Sequence, residues 1–161
     1  ESAFEDGLIV DAAISQSDAD CHGFWSLRDD VEQVMHGGLP IVFDISLPIS
    51  EMESYTANLA KAMPEAVDPH QLFIFGHLGD GNLHVVVQVK AQDYMSARPK
   101  VEALVYGGLA SFRGSVSAEH GIGLEKKPYL SVSRSEPELA LMRTLKQALD
   151  PKNLLNPGKI L

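Results

Sequence analysis

The sequence predicts an α+β fold, with helices on one face of a mostly antiparallel sheet. Two observations carry this: strand-like apolar runs separated by helical patterns, and Asp80-Gly81 set as a hairpin turn between two of those runs. A third sets the scale: 161 residues, 45% hydrophobic and 22% charged, fit one domain with an ordinary core.

The elements follow in order. Gly7 to Ile14 is a short apolar run that reads as a buried strand. From His22 to about Met35, Phe24, Leu27, Val31, Val34 and Met35 recur at helical spacing, and Gly37-Gly38 and Pro40 stop the pattern. Ile41 to Leu47 alternates as a strand with Ile41, Phe43, Ile45 and Leu47 on one face. Ser50 reads as the N-cap of a helix with Glu51 and Glu53 in its first turn, running to Met63 and broken by Pro64. Gln71–Gly76 and Asn82–Val89 are strands, Ala97–Phe112 a helix and Gly114–Ala118 a short strand. Lys126–Leu130 forms a helical turn, Pro137–Leu149 the last helix, and Asn153–Leu161 a Pro/Gly-punctuated tail.

Charge and cysteine narrow the partners. With 13 Lys+Arg against 22 Asp+Glu the net charge is −9, which argues against nucleic acid and anionic membranes. No apolar run approaches a membrane span of about 20 residues. The single Cys21 cannot close an internal disulfide, so a reducing, cytoplasmic compartment is expected and Cys21 is read as inert. The chain opens on Glu1 without a signal core, which reads as a processed product or a piece of something larger. Its length is short for a self-contained dinucleotide enzyme, and no G-x-G-x-x-G or P-loop pattern is present.

The chemistry concentrates in two segments. A two-residue turn at Asp80-Gly81 pairs Gly79 with Asn82, Leu78 with Leu83 and His77 with His84. Both imidazoles and the Asn82 amide then share one face, as the first ligands of a divalent ion require. A longer loop breaks this register but leaves the histidines neighbours, and a cross-strand polar pair is the competing explanation. Ser117-Ala118-Glu119-His120-Gly121-Ile122-Gly123 adds a carboxylate and a third histidine at a strand end. Glu119 completes a His₂-carboxylate set, and His120 is free for acid–base work; a plain strand-end cap is the alternative. Arg28, one turn after Phe24 and Trp25, suits a carboxylate, or else lies on a solvated helix face. Lys126-Lys127 reads as a surface pair, and His22, His36 and His70 as motif-free polar or loop residues.

Three ordered motifs carry a resemblance: Gly76-His77-Leu78-Gly79-Asp80-Gly81-Asn82-Leu83-His84, Ser117 to Gly123, and Asp150-Pro151 with Leu155-Asn156-Pro157-Gly158-Lys159-Ile160-Leu161. Together they resemble the C-terminal part of FAD-linked oxidases of the vanillyl-alcohol-oxidase type. Within these the chain is most similar to the D-2-hydroxyacid dehydrogenase branch, which includes D-2-hydroxyglutarate and D-lactate dehydrogenases and the FAD subunit of glycolate oxidase. The resemblance runs from Trp25-Ser26-Leu27-Arg28 to Leu161.

The resemblance implies a ferredoxin-like cap part over residues 1–133 and a flavin-facing helical tail over 134–161, the FAD-binding half being absent. It implies His77, His84 and Glu119 as ligands of a divalent metal, zinc being the expected ion. His120 then corresponds to the general base, Asn82 to a substrate-contacting amide and Arg28 to the clamp on the substrate carboxylate. Asn156 and Lys159 lie in the segment approaching the flavin, Asn156 being the better candidate. Hydroxyglutarate-type members commonly carry a lysine two residues before the strand aspartate; Val42 stands there, which counts against hydroxyglutarate itself. Asp29-Asp30 after Arg28 is a second departure.

The expected function is therefore the substrate and metal half of an FAD-dependent D-2-hydroxyacid dehydrogenase, inactive alone and partnered by the missing FAD domain. A zinc hydrolase and a non-catalytic α+β binding module are the other classes. An apolar surface exposed where the missing half docks favours self-association, a homodimer included. Neither the electron acceptor nor the particular hydroxyacid is written in the sequence.

Overall fold

The computed structural model describes residues 2–67 and 71–161, so His70 lies outside the described residues. The chain divides into two units, Glu1–Val34 and Met35–Leu161.

In the first unit, helix α1 spans Ser2–Glu5 and α2 spans Asp18–Asp29. The α2 start lies four residues before the expected His22 because Ser17 caps it, its side chain accepting the Asp20 N–H at 3.1 Å. The helix stops at Asp29, and Val31–Met35 winds on as a 3₁₀ turn. Gly7–Ile14 is a correction: it is exposed coil, with Val10 97% exposed. A strand needs a partner ladder, and among the described residues none pairs with this run.

The second unit is built on a three-stranded antiparallel sheet in the order β1-β3-β2, which bears out the α+β class. The strands are β1 (Leu39–Ser46), β2 (Gln71–His77) and β3 (Asn82–Val89). Helices α3 (Ile49–Ala66) and α4 (Tyr94–Leu109) cover one face. The alternation of β1 acts as expected: Ile41, Phe43, Ile45 and Leu47 are buried. They meet Val85 and Val87 of β3, Met52, Leu59 and Met63 of α3, and Val101, Val105 and Leu109 of α4. Phe43 packs edge-to-face on Tyr106 at 5.2 Å, and buried Tyr55 donates to the Val105 carbonyl at 2.8 Å. Burying these side chains contributes roughly 1.5–3 kcal/mol each.

Boundaries moved where tertiary packing overrode local signals. α3 starts after Pro48 rather than at Ser50 and runs through Pro64, because Met63 and Val67 on either side are anchored in the core. Gly114–Ala118 forms only a single bridge, Ser46 to Ser115, instead of a strand. The remaining elements are 3₁₀ turns at Ala110–Phe112 and Lys127–Tyr129, α5 (Leu130–Ser133) and α6 (Glu136–Leu149), the last entered through a capping box of Ser135 and Glu138. After α6, Asp150 accepts the N–H groups of Leu154 and Leu155 and pairs with Lys146, which folds the tail back. These contacts, Lys146 first, hold the Asp150 carboxyl down at about 2. Among the described residues, no helix is long and apolar enough to cross a membrane.

Candidate active site

The face of the sheet opposite α3 and α4 carries Asp44 from β1, Asn82 and His84 from β3, and Phe75 and His77 from β2. The hairpin that joins β2 to β3 differs from the expected two-residue turn. Leu78–Asp80 makes a 3₁₀ turn closed by Gly81 in the left-handed region, φ 78°. His77 therefore pairs with Asn82, and His84 with Phe75. The slip is two residues, so parity is preserved and His77, Asn82 and His84 still share a face. The rings of His77 and His84 lie 6.0 Å apart.

Gly81 has a further job. A Cβ there would sit 2.4 Å from the Leu47 carbonyl oxygen, and the Leu47 N–H donates to the Gly81 carbonyl at 2.9 Å. The end of β1 and the hairpin are thereby strapped together, which only glycine permits at this φ.

Glu119 reaches the histidines from the following loop. Its Oε1 lies 3.2 Å from His77 Nδ1 and accepts a short hydrogen bond from the Asn82 amide. Nitrogens of His77 and His84 and a Glu119 carboxylate oxygen all fall within 4.8 Å of one another. His120 stacks beside His84, ring centroids 5.9 Å apart. Four of the residues named from the sequence, together with Asn82, are thus brought together.

The residue that arranges them was not singled out: Asp44, 1% exposed in the middle of β1. Its Oδ2 accepts the N–H groups of Ala118, Glu119 and His120 at 2.9–3.1 Å. This capture turns the chain into a loop from Ala118 on, at the end of the expected Gly114–Ala118 strand. Lys126 is likewise corrected from surface to buried: its Nζ donates to the Asp44 carbonyl at 3.0 Å and to Ser117 Oγ at 3.1 Å, and lies 3.4 Å from Asp44 Oδ2. Burial pushes the Asp44 carboxyl up, but the N–H groups of His120 and Glu119 and the Lys126 charge outweigh it, and its pKa falls below the ordinary carboxylate range. Burial pulls the Lys126 ammonium below the usual lysine range, against the opposing pull of Asp44. A carboxylate inside an apolar strand was the available signal, since such a group is buried only when paired.

A second donor group, Asp44, His84 and His120, shares His84. Asp44 Oδ2 is already filled by donors, while its Oδ1 has no hydrogen-bond partner among the described residues. Asn156 and Lys159 stay in the exposed tail and do not join the cluster. The tail does run beside the loop after His120, since Ile160 N–H donates to the Gly123 carbonyl and Lys127 Nζ to the Gly158 carbonyl. Arg28 belongs to the first unit, exposed, bonded to Asp29 at 2.6 Å and 5.3 Å from the centre of the Trp25 ring. Cys21 is free and exposed.

Residues 1–160 match the family model of FAD linked oxidases, C-terminal domain. Among curated proteins, the chain is 42% identical to a D-2-hydroxyglutarate dehydrogenase of Xanthomonas citri pv. viticola, with 99% of this chain and 35% of that protein aligned. It is 32% identical to a protein of the same name from Stutzerimonas stutzeri, over 99% of this chain and 35% of that one. It is 38% identical to the mitochondrial D-2-hydroxyglutarate dehydrogenase of Bos taurus, over 100% of this chain and 29% of the relative. The chain thus spans about a third of the length of the curated relatives it matches.

Proposed function

The chain belongs to the family of FAD linked oxidase C-terminal domains, and from that premise we propose that it supplies the substrate, metal and acid–base side of a flavin-dependent oxidoreductase. The reaction is oxidation of a D-2-hydroxyacid to the 2-oxoacid. The observation that carries this reading is the convergence of His77, His84 and Glu119 with His120 against the same ring.

The donor set fits a divalent ion. Two imidazoles and one carboxylate suit zinc and leave coordination open for a hydroxyacid, and the buried Asn82 Oδ1 has no partner among the described residues. Flavin is different: the chain spans about a third of the length of its relatives, and in this reading FAD is held by the remainder of such a longer protein. In this reading residues 1–133 are the cap part and 134–161 the tail that presents Asn156 and Lys159. His77, His84 and Glu119 would hold the ion, which would supply polarisation of the hydroxyl and carboxylate oxygens, and a flavin would supply the hydride acceptor. His120 takes the hydroxyl proton on a ring nitrogen as the carbonyl forms. Asn82 fixes Glu119 and offers its amide to the substrate.

In this reading Val42, standing where hydroxyglutarate-type members commonly carry a lysine, counts against a second substrate carboxylate; it lines a cleft with Arg98 and Lys126. Arg98 is taken by Glu102 and Glu125, and Lys126 by Asp44. With its cations committed, this cleft favours a hydroxyacid without a second carboxylate.

The flavin domain docks, in this account, on the apolar surface of α6 and the tail, where Leu141, Leu145, Leu149, Leu154 and Leu155 are exposed. The same surface would make the chain alone self-associate. We place it in a reducing compartment, the cytoplasm, because Cys21 stands alone, although the cow relative carries a mitochondrial name. Metal analysis of the longer protein, with and without His77→Ala, tests the reading. Near-stoichiometric zinc lost in the variant supports it; unchanged metal content and activity sink it.

A further inference from the structure

We propose that Asp44 and Lys126 form a buried positioning pair, in which one carboxylate orients both the ligand His84 and the base His120 and holds the Glu119 loop in register. This rests on the metal and acid–base reading above. Three features of the pair support it, none requiring contact with substrate.

The two oxygens of Asp44 divide the work. Oδ2 is filled by three consecutive backbone N–H groups, so the Ala118–His120 backbone is tied to β1 at one point. Oδ1 has no hydrogen-bond partner among the described residues, although the side chain is 1% exposed. A buried carboxylate oxygen left unpaired is costly, and the donor within reach is His84 Nδ1, 3.9 Å away. His120 Nδ1 lies 4.0 Å from Oδ2. Both distances exceed a hydrogen bond; a small ring rotation brings His84 onto the free Oδ1, as happens when ligand binding tightens a site, while His120 is positioned through its own backbone N–H on the filled Oδ2. With Nδ1 of His84 held by the carboxylate, Nε2 of His84 faces the ion, and the backbone anchor of His120 keeps its ring beside His84. Carboxylate–histidine–metal arrangements fix tautomer and ring direction in this way.

Lys126 makes the carboxylate tolerable. It bonds the Asp44 main-chain carbonyl and Ser117 Oγ, and places a cation against Oδ2. Ser117 Oγ in turn donates to the Gly121 carbonyl, so the loop is closed on both sides of Glu119-His120. The neighbouring Lys127 takes no part in this, bonding the tail at Gly158.

The test uses the full-length protein, stripped of metal and titrated with zinc, then with cobalt. Asp44→Asn is expected to raise the zinc dissociation constant about 10–100-fold. At saturating metal, kcat falls by about tenfold or more while KM for the hydroxyacid moves less than about threefold. The visible spectrum of the fully loaded cobalt protein shifts, because His84 is re-aimed. Met63→Ala, a core change remote from the loop, serves as a destabilised control with an unaltered cobalt spectrum. If Asp44→Asn does not fold, Lys126→Met and Lys126→Arg decide: the first is expected to weaken zinc about tenfold, and the second, which keeps the cation, to restore most of it. A folded Asp44→Asn with wild-type zinc affinity and cobalt spectrum overturns the proposal, as do Lys126→Met and Lys126→Arg variants that bind zinc alike. The underlying reading fails separately, if His77→Ala and Glu119→Gln leave zinc binding intact.

Discussion

The hairpin that sets the site can be tested by two alanines placed two residues apart. At Gly81 the backbone is left-handed, φ 78°, and an added Cβ would lie 2.4 Å from the Leu47 carbonyl oxygen. Holding alanine in that conformation costs about 1–2 kcal/mol. The carbonyl cannot swing away as a side chain can, so the Leu47–Gly81 hydrogen bond of 2.9 Å has to open, at about 1 kcal/mol more. Gly81→Ala is thus expected to destabilise by about 2–3 kcal/mol, or roughly 4–12 °C in melting temperature at 2–4 °C per kcal/mol. Because His77 and Asn82 flank the loop, zinc affinity falls with it. At Gly79 a Cβ meets nothing within 4 Å and φ is not positive, so Gly79→Ala is expected to be neutral or stabilising by up to about 1 kcal/mol. Thermal melts followed by circular dichroism measure both. A Gly81→Ala protein melting within about 2 °C of wild type, or a Gly79→Ala protein losing as much as Gly81→Ala, refutes the strapped-hairpin argument.

Other consequences are as direct. Lys126→Met, which strips a buried carboxylate of its cation, costs about 3 kcal/mol or more in denaturant melts, whereas Lys127→Met on the exposed neighbour stays within about 0.5 kcal/mol. Asp44 has a folded pKa below its unfolded one, so its contribution to stability is complete above the ordinary carboxylate range and is lost as pH falls through the folded value. Asp44→Asn should therefore flatten the acid limb of a stability-against-pH curve; an unchanged limb would contradict the assignment. Val42→Lys is expected to raise kcat/KM for D-2-hydroxyglutarate relative to D-lactate by about tenfold, the worth of one charge-assisted hydrogen bond. No change in that ratio removes Val42 from the specificity argument.

Comparison of sequence and structure shows which forces are local. Hairpin existence and the buried face of β1 followed from turn chemistry and alternation, both short-range properties, and the last helix lies within two residues of its expected bounds. The histidine face survived a wrong turn length because a slip of two keeps parity. What escaped was non-local. Asp44 and Lys126 are 82 residues apart, and only the folded chain reveals that the lysine closes the carboxylate. Gly114–Ala118 looked like a strand, and nothing nearby announces that the N–H groups of Ala118, Glu119 and His120 are captured by a distant side chain. The Gly7–Ile14 run has strand composition, yet among the described residues no strand pairs with it, a fact that composition cannot carry.

In the function proposed above, the sheet face of this chain furnishes the metal ligands and the base for hydroxyacid oxidation. The most direct measurement is anaerobic bleaching of the bound flavin in the full-length protein by a D-2-hydroxyacid, compared among wild type, metal-stripped wild type, Glu119→Gln and His120→Ala. The account predicts rapid bleaching by the wild type, recovery of the stripped protein on adding zinc, and rates about 10²-fold or more slower for both variants. Equal bleaching by all four proteins would contradict it.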